Sequence, residues 1–352
     1  LTIGEPGTVL FAMYASVGEV STLGVPAAWN QALLGVYPRP GMSDSRYLAY
    51  ALKMLRPSLY VHYRSNTQDN LNAEIVNSLR VPFPPLETQI AISNYLDRET
   101  AEIDEMSVNL DEMETLLLER RNAIISQRIF CPESARSPQL SLKFVAADTF
   151  AGEWGVEEGL QQLNAPCVRV ADFNRHTNLV DDNVPTVRSY TRDQFERKRL
   201  KYGDLLVEKS GGTASNPVGN VAEYVGDEGP LCSNFIQVIR LRDDQHPRYW
   251  RFAHMASHKT GLTITHVRQT TGIQNLDMIG FMSERYPAPP LEEQQRIVEG
   301  IERDTAEIDS MLADIHELRA LLAERRSALI TAAVTGQIDI LGLKEITDGE
   351  DY

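Results

Sequence analysis

The chain has 352 residues, enough for two or three compact domains, and its 42% apolar and 24% charged residues are those of a folded globular protein. No run of eighteen or more apolar residues occurs, which argues against a membrane-spanning helix, and Leu1–Glu5 lacks the pattern of a signal peptide. The formal charge of −15 weighs against nucleic acid, yet residues 140–274 hold 16 Lys/Arg against 16 Asp/Glu, so the acidic excess lies elsewhere and a basic face there is compatible with the total.

In chain order, Gly7-Thr8-Val9-Leu10-Phe11 reads as a turn glycine leading into a short apolar strand, and Tyr47-Leu48-Ala49-Tyr50 as part of a helix. Arg64-Ser65-Asn66-Thr67-Gln68-Asp69-Asn70 is a polar loop ahead of Pro82-Phe83-Pro84-Pro85-Leu86-Glu87-Thr88-Gln89, where a long helix starts. Leu96, Ile103, Leu110, Leu117 and Ile124 recur every seven residues in it, with Ile92, Met106 and Met113 at the companion positions, which is a heptad seam.

A second globular segment follows. Arg197-Lys198-Arg199-Leu200-Lys201 is its densest basic run, suited to phosphate contact or to a solvated turn. Gly203-Asp204-Leu205-Leu206-Val207 repeats the Gly7 strand, Ser233-Asn234-Phe235 repeats Trp29-Asn30-Gln31 ahead of an apolar run, and Tyr249-Trp250-Arg251-Phe252 repeats the Tyr47 helix. After the Gly203 strand, Lys209, Ser210, Thr213, Ser215 and Asn216 offer donors to phosphates or base edges, and Gly211-Gly212 permits close backbone approach. The first copy has Ala12-Met13-Tyr14-Ala15-Ser16 there. Before the second helix, Arg268, Gln269 and Thr270 take the place of Arg64 and Gln68; Arg can bond guanine, and Gln adenine, in bidentate fashion. Asn70 and Asn275 match one another and read as caps of local backbone.

The repeat is exact in spacing. Pro287-Ala288-Pro289-Pro290-Leu291-Glu292-Glu293-Gln294 lies 205 residues after Pro82–Gln89, and the offset holds for Thr100–Asp104 against Thr305–Asp309, for Glu119-Arg120-Arg121 against Glu324-Arg325-Arg326, and for Asn70-Leu71 against Asn275-Leu276. In the second helix Ile301, Ile308, Ile315, Leu322 and Leu329 form the seam, with Ile297, Met311 and Leu318 as companions. Charges stand at two further companion positions of each helix: Glu99 and Arg120, Asp304 and Arg325. Parallel helices would oppose like charges; antiparallel ones bring Glu99 to Arg325 and Arg120 to Asp304, which selects that orientation.

With its two proline-leucine-glutamate-x-glutamine helix starts, its Thr-Ala-Glu-Ile-Asp and Glu-Arg-Arg segments and its close at Leu329–Ile338, the sequence resembles the specificity subunits of type I restriction–modification systems. The resemblance implies an α+β protein with a pseudo-twofold internal repeat: two target-recognition domains joined by two long conserved helices that form an antiparallel coiled coil. The expected segments are 1–84 (a first recognition domain, C-terminal part only), 85–130 (first helix), 131–289 (second recognition domain), 290–335 (second helix) and 336–352 (acidic tail). The second copy has about 60 residues ahead of its Gly203 strand but the first has six ahead of Gly7, so the chain reads as a piece of a longer one. The implied partners are double-stranded DNA with a bipartite site, two methyltransferase (modification) subunits and, through the complex, restriction subunits, in the cytoplasm and without a membrane.

No chemistry of its own is expected. Asn216-Pro217-Val218-Gly219 and Phe150–Gly155 fit neither a methyltransferase catalytic motif nor a cofactor loop, and no GxxxxGK[ST] phosphate loop or HExxH is present. His254 and His258 share a helix face without a third ligand, and Cys131, Cys167 and Cys232 lack CxxC spacing and read as plain thiols. S-adenosylmethionine, ATP and Mg are expected on partner subunits. The alternatives are the recognition part of a fused restriction–methyltransferase enzyme, or a coiled-coil scaffold that never touches DNA.

Overall fold

A computed structural model of the chain describes residues 3–14, 16–59, 71–131, 136–213, 216–227, 229–270, 273–340 and 342. The chain is α+β and divides into two compact units, residues 1–113 with 313–352, and residues 114–312. Each unit contains a globular part and portions of both long helices.

In the first unit, β1 (Val9–Ala12) is the centre of a three-stranded antiparallel sheet with β2 (Val20–Thr22) and β3 (Leu33–Val36). The turn before β1 holds Gly7 at φ +90°, a conformation that disfavours a side chain, and the four residues of β1 are all buried. Helix α1 (Ser45–Leu59) covers this sheet with Ala49, Leu52 and Leu59, while Tyr47, Tyr50 and Ala51 face the long helix α3 (Leu86–Ile129). The short α2 (Ala73–Ser78) lies between, capped by Asn72, whose Oδ1 accepts the Ile75 amide at 2.8 Å.

The second unit opens with β4 (Gln139–Ser141), α4 (Leu142–Val145), β5 (Ala146–Ala151), β6 (Leu163–Val168), β7 (Leu179–Val180), β8 (Val187–Tyr190) and α5 (Arg192–Lys198). It continues through β9 (Leu205–Glu208), β10 (Val221–Tyr224), β11 (Leu231–Cys232), β12 (Ile236–Leu241), α6 (Pro247–Lys259), the hairpin β13 (Val267–Thr270) and β14 (Ile273–Leu276), α7 (Met278–Ser283), β15 (Arg285–Pro287) and α8 (Leu291–Val334). The main sheet has the order β5-β12-β9-β10-β7, antiparallel except for the β10–β7 pair. A second sheet, β11-β6-β8, adjoins it, and β15 pairs with β4.

The two units share a plan. In each, the strand after a positive-φ glycine (Gly7, Gly203) lies between two antiparallel neighbours, and a helix beginning near the matched tyrosine follows. The matched glutamine explains the helix-start motif. Gln89 is fully buried; its Oε1 accepts the Asp44 amide just before α1 at 3.0 Å, and its Nε2 donates to the Pro84 carbonyl at 2.8 Å. Gln294 likewise accepts the His246 amide that caps α6 at 2.9 Å and donates to the Pro289 carbonyl at 2.8 Å. These amides are orphans of a helix N-terminus, so each glutamine satisfies them while tying the globular helix to the long one. Tyr47 donates to the Pro82 carbonyl at 2.9 Å and Tyr249 to the Pro287 carbonyl at 2.7 Å; Arg46 pairs with Asp97, and Arg248 with Glu302, each at 2.7 Å.

Within each unit the long helices run antiparallel. In the second unit Arg121 pairs with Asp309 at 2.6 Å and Arg128 Nε donates to Asp304 at 3.0 Å, so rising numbers on α3 meet falling numbers on α8. In the first unit Arg326 Nη2 donates to Asp104 at 3.1 Å, and Arg319 pairs with Asp111. The ion pairs expected on charge grounds are replaced: Asp304 takes Arg128 and Arg303 rather than Arg120, Glu99 takes its neighbour Arg98, and Arg120 and Arg325 are exposed.

The companion stripe is also displaced by one residue. Leu96, Ile103, Leu110, Ile301, Ile308, Ile315 and Leu322 are buried as the heptads require, but Met106, Met113, Met311 and Leu318 are exposed. Thr100, Arg121, Thr305 and Leu312, each four residues after a seam position, are buried instead. The second stripe is largely polar, and an apolar criterion passes over it. Helix α8 ends where Gly336 (φ +73°) adopts the left-handed conformation typical of a helix C-terminus, its amide bonding the Ala333 carbonyl at 3.3 Å.

Candidate nucleic-acid interface

The second unit brings two of the sequence-predicted segments together. The loop after β9 docks on the β13–β14 hairpin: the Leu276 amide donates to the Lys209 carbonyl at 2.8 Å, the Gly211 amide to the Gln274 carbonyl at 3.0 Å, and Ser210 Oγ to Asn275 Oδ1 at 2.6 Å. Gln274, 7% exposed, accepts the Val218 amide at 3.3 Å and anchors the far end of the loop. Sequence reading missed these two anchors. Asn275 is not the backbone cap expected of it; it stands in mid-strand and holds Ser210. The caps nearby are Asn72 and Asp277, the latter accepting the Gly280 amide at 3.2 Å.

The loop shapes itself from within. Thr213 and Asn216 exchange two hydrogen bonds, of 2.9 Å from the Thr213 amide and 3.1 Å from the Asn216 amide. A Cβ on Gly212 would come within 2.6 Å of the Val218 nitrogen, whereas one on Gly211 would meet open space. The close approach that glycine permits at 212 is therefore made to the loop's own backbone. Ser215 lies outside the described residues.

The hairpin presents Arg268 and Gln269 to solvent. Arg268 is 74% exposed and its Nη2 donates to Asp277 at 2.5 Å; the Gly280 amide, with this contact adding to it, holds the Asp277 carboxyl below the usual range. Thr270 closes β13 opposite Ile273. Arg64, Gln68 and Asn70 lie outside the described residues. In the first unit the Leu71 amide donates to the Met13 carbonyl at 2.9 Å, the counterpart of the Leu276–Lys209 bond.

The basic run does not act as one block. Arg197 is 75% exposed and pairs with Asp193 one turn earlier at 2.8 Å, whereas Lys198 meets Glu153 at 2.9 Å. The Arg199 carbonyl accepts from Arg240 at 3.2 Å, and the Lys201 amide donates to Asp204 at 2.8 Å. Lys198 nevertheless reaches the loop electrostatically. Burial, with the charge of Lys198 adding to it, pulls the Lys209 ammonium below the usual lysine range.

His254 and His258 form no ligand pair. His254 is 1% exposed among the rings of Trp250, Phe281 and Tyr286, and both its nitrogens lack partners among the described residues. His258 Nε2 lies 3.3 Å from the Pro217 carbonyl. None of Cys131, Cys167 and Cys232 is in a disulfide among the described residues.

Residues 3–112 match the family described as the type I restriction modification DNA specificity domain. The chain is similar to type I restriction enzyme specificity subunits. It is 19% identical over 281 residues to the EcoKI specificity subunit of Escherichia coli K12 and 23% identical over 286 residues to the StySPI specificity subunit of Salmonella potsdam. Each alignment takes in 77% of this chain and 60% of the relative, so the chain spans about 60% of the length of these curated relatives. A chain solved in work on the complex assembly and conformational transition of the type I R-M system has the same fold. The TM-score is 0.58 at 15% identity, covering 95% of this chain and 83% of that one. Among the described residues no helix is long and apolar enough to cross a membrane.

Proposed function

We propose that this chain is a DNA-reading specificity subunit that performs no catalysis. Each unit reads one half of a bipartite site in double-stranded DNA, and the two long helices, paired as an antiparallel coiled coil about a pseudo-twofold axis, set the spacing of the halves. Two methyltransferase subunits dock on those helices and restriction subunits join through the complex, in the cytoplasm. S-adenosylmethionine, ATP and Mg belong to the partners.

The observation that carries this reading is the docking of the Lys209–Asn216 loop on the β13–β14 hairpin. It seats the loop that carries Lys209, Ser210, Thr213 and Asn216, candidate phosphate or base donors, against the hairpin whose strand β13 carries Arg268, Gln269 and Thr270. A two-stranded ribbon fits the major groove, where exposed Arg and Gln side chains can make bidentate contacts to guanine and adenine. The matched Met13–Leu71 bond supports an equivalent face in the first unit, to which Arg64 and Gln68 would contribute. Arg197, Lys198, Arg199 and Lys201 extend the basic margin.

The test is DNA affinity of the chain assembled with methyltransferase subunits, measured against salt concentration. Lys209→Ala is expected to weaken binding to all sequences alike and to reduce the salt slope by about one; Gln269→Ala is expected to relax discrimination at one base pair at a cost of about 1–3 kcal/mol. Unchanged affinity and slope in Lys209→Ala and Arg268→Ala would leave a scaffold that does not touch DNA.

A further inference from the structure

Within the second unit lies a cavity of about 350 Å³ that shares only Asn216 with the DNA-reading residues named above. Its walls come from α3, the 175–178 turn, the end of the loop at Asn216 and Pro217, and the C-terminal part of α6. Arg175 and Lys259 line it, and no Asp or Glu does among the described residues.

The polar groups of this cavity are held from behind. Glu208, 2% exposed, accepts from Arg175 Nη1 at 2.9 Å, which fixes the guanidinium at the wall. Asn178, in the left-handed region at φ +53°, donates from Nδ2 to Asn220 Oδ1 at 2.7 Å and to the Val221 carbonyl at 2.9 Å. That bond settles which end of the Asn220 amide is which. Its Nδ2 is a buried donor with no partner among the described residues, on a side chain only 6% exposed that lines the cavity. A buried unpaired donor costs about 1–3 kcal/mol, a cost that a bound acceptor removes. On the opposite wall the Pro217 carbonyl can only accept, so His258 faces it with Nε2–H.

We propose that this cavity binds a phosphate group. Asn220 Nδ2 and the Arg175 guanidinium would donate to its oxygens and Lys259 would balance its charge. Leu118 and Met255 supply an apolar wall on which the rest of a small ligand, such as a nucleoside, can lie. The phosphate has two sources with the same chemistry, a free phosphate ester or the DNA backbone passing over the loop. Only the second rests on the DNA-reading function.

The experiment uses the full chain, with binding of inorganic phosphate and adenosine monophosphate followed by phosphorus NMR. Saturable binding is expected in the wild type and in Lys143→Glu, an exposed change of the same charge on the surface of α4. Lys259→Glu and Asn220→Asp are expected to weaken it at least tenfold; Lys259 is exposed, so its variant tests the site even if Asn220→Asp compromises folding. No saturable binding in the wild type, or equal binding in Lys259→Glu, overturns the proposal. In parallel, DNA affinity of the assembled complex separates the sources. A lower salt slope in Lys259→Glu assigns the site to the DNA backbone, and an unchanged slope with lost phosphate binding assigns it to a free ester. If Lys209→Ala and Arg268→Ala also leave DNA affinity unchanged while the wild type binds phosphate and Lys259→Glu does not, the DNA-reading function is refuted and the site stands.

Discussion

The His254→Leu substitution tests the physical account of the second unit's core. The imidazole is packed on three aromatic rings, with centroids 4.6 Å from Tyr286, 5.3 Å from Phe281 and 6.3 Å from Trp250, and neither nitrogen has a partner among the described residues. Burial pushes its pKa down to about 3. The unfolded chain takes up a proton near pH 6.5 while the folded chain refuses it, so this group's stabilisation is complete above that value and is lost as pH falls from about 6.5 towards 3. At a full slope of about 1.4 kcal/mol per pH unit, lowering the pH from about 7 to about 5 costs roughly 2 kcal/mol. Leucine has nearly the same volume and no proton to bind. Urea unfolding followed by tryptophan fluorescence is expected to show wild type and variant diverging by that amount between the two pH values. Other groups, including His246 and His258, titrate alike in both proteins and cancel. Parallel curves for the two proteins would mean that His254 is hydrated or paired, and the argument from burial would fail.

Gln294→Leu is expected to lower unfolding stability by about 2–3 kcal/mol, because it strands the His246 amide and the Pro289 carbonyl, with Gln89→Leu doing the same in the first unit; denaturant titration measures both. Asp309→Ala leaves the Arg121 guanidinium, 4% exposed, without its partner, whereas adding Arg121→Met to that variant restores most of the loss; a double-mutant cycle reads the difference. Gly152→Ala places a Cβ 2.2 Å from the Ser233 carbonyl oxygen and 2.5 Å from that of Cys232, both backbone, and is expected to reduce Tm by several degrees in calorimetry, with a cost above about 2 kcal/mol.

The repeat was legible because contacts between matched residues constrain both copies at once. The Gln89 and Gln294 docks, the Tyr47 and Tyr249 bonds and the Arg46 and Arg248 ion pairs all recur. The helix seam was legible in its apolar half. Its other half was not, since Thr100 and Arg121 are buried by hydrogen bonding and ion pairing, to which a heptad count is blind, while Met106 and Met311 meet the count and face solvent. The loop and hairpin were each visible as polar stretches, but their docking rests on Gln274 and Asn275, residues of no unusual type. The cavity had no signal in the sequence, because Arg175, Asn220 and Lys259 are distant along the chain and meet only through the sheet and α6.

Gln89 and Gln294 grip main-chain atoms on both sides: an amide at the head of one helix and a proline carbonyl at the head of the other. These glutamine bonds to main chain ask only for a helix start, and beside them the joint needs just the tyrosine and arginine of the globular helix, so side chains elsewhere on the globular part can be rewritten without loosening it. Cartridges of unrelated surface could thus be exchanged on one frame, provided each presents a helix start at that point.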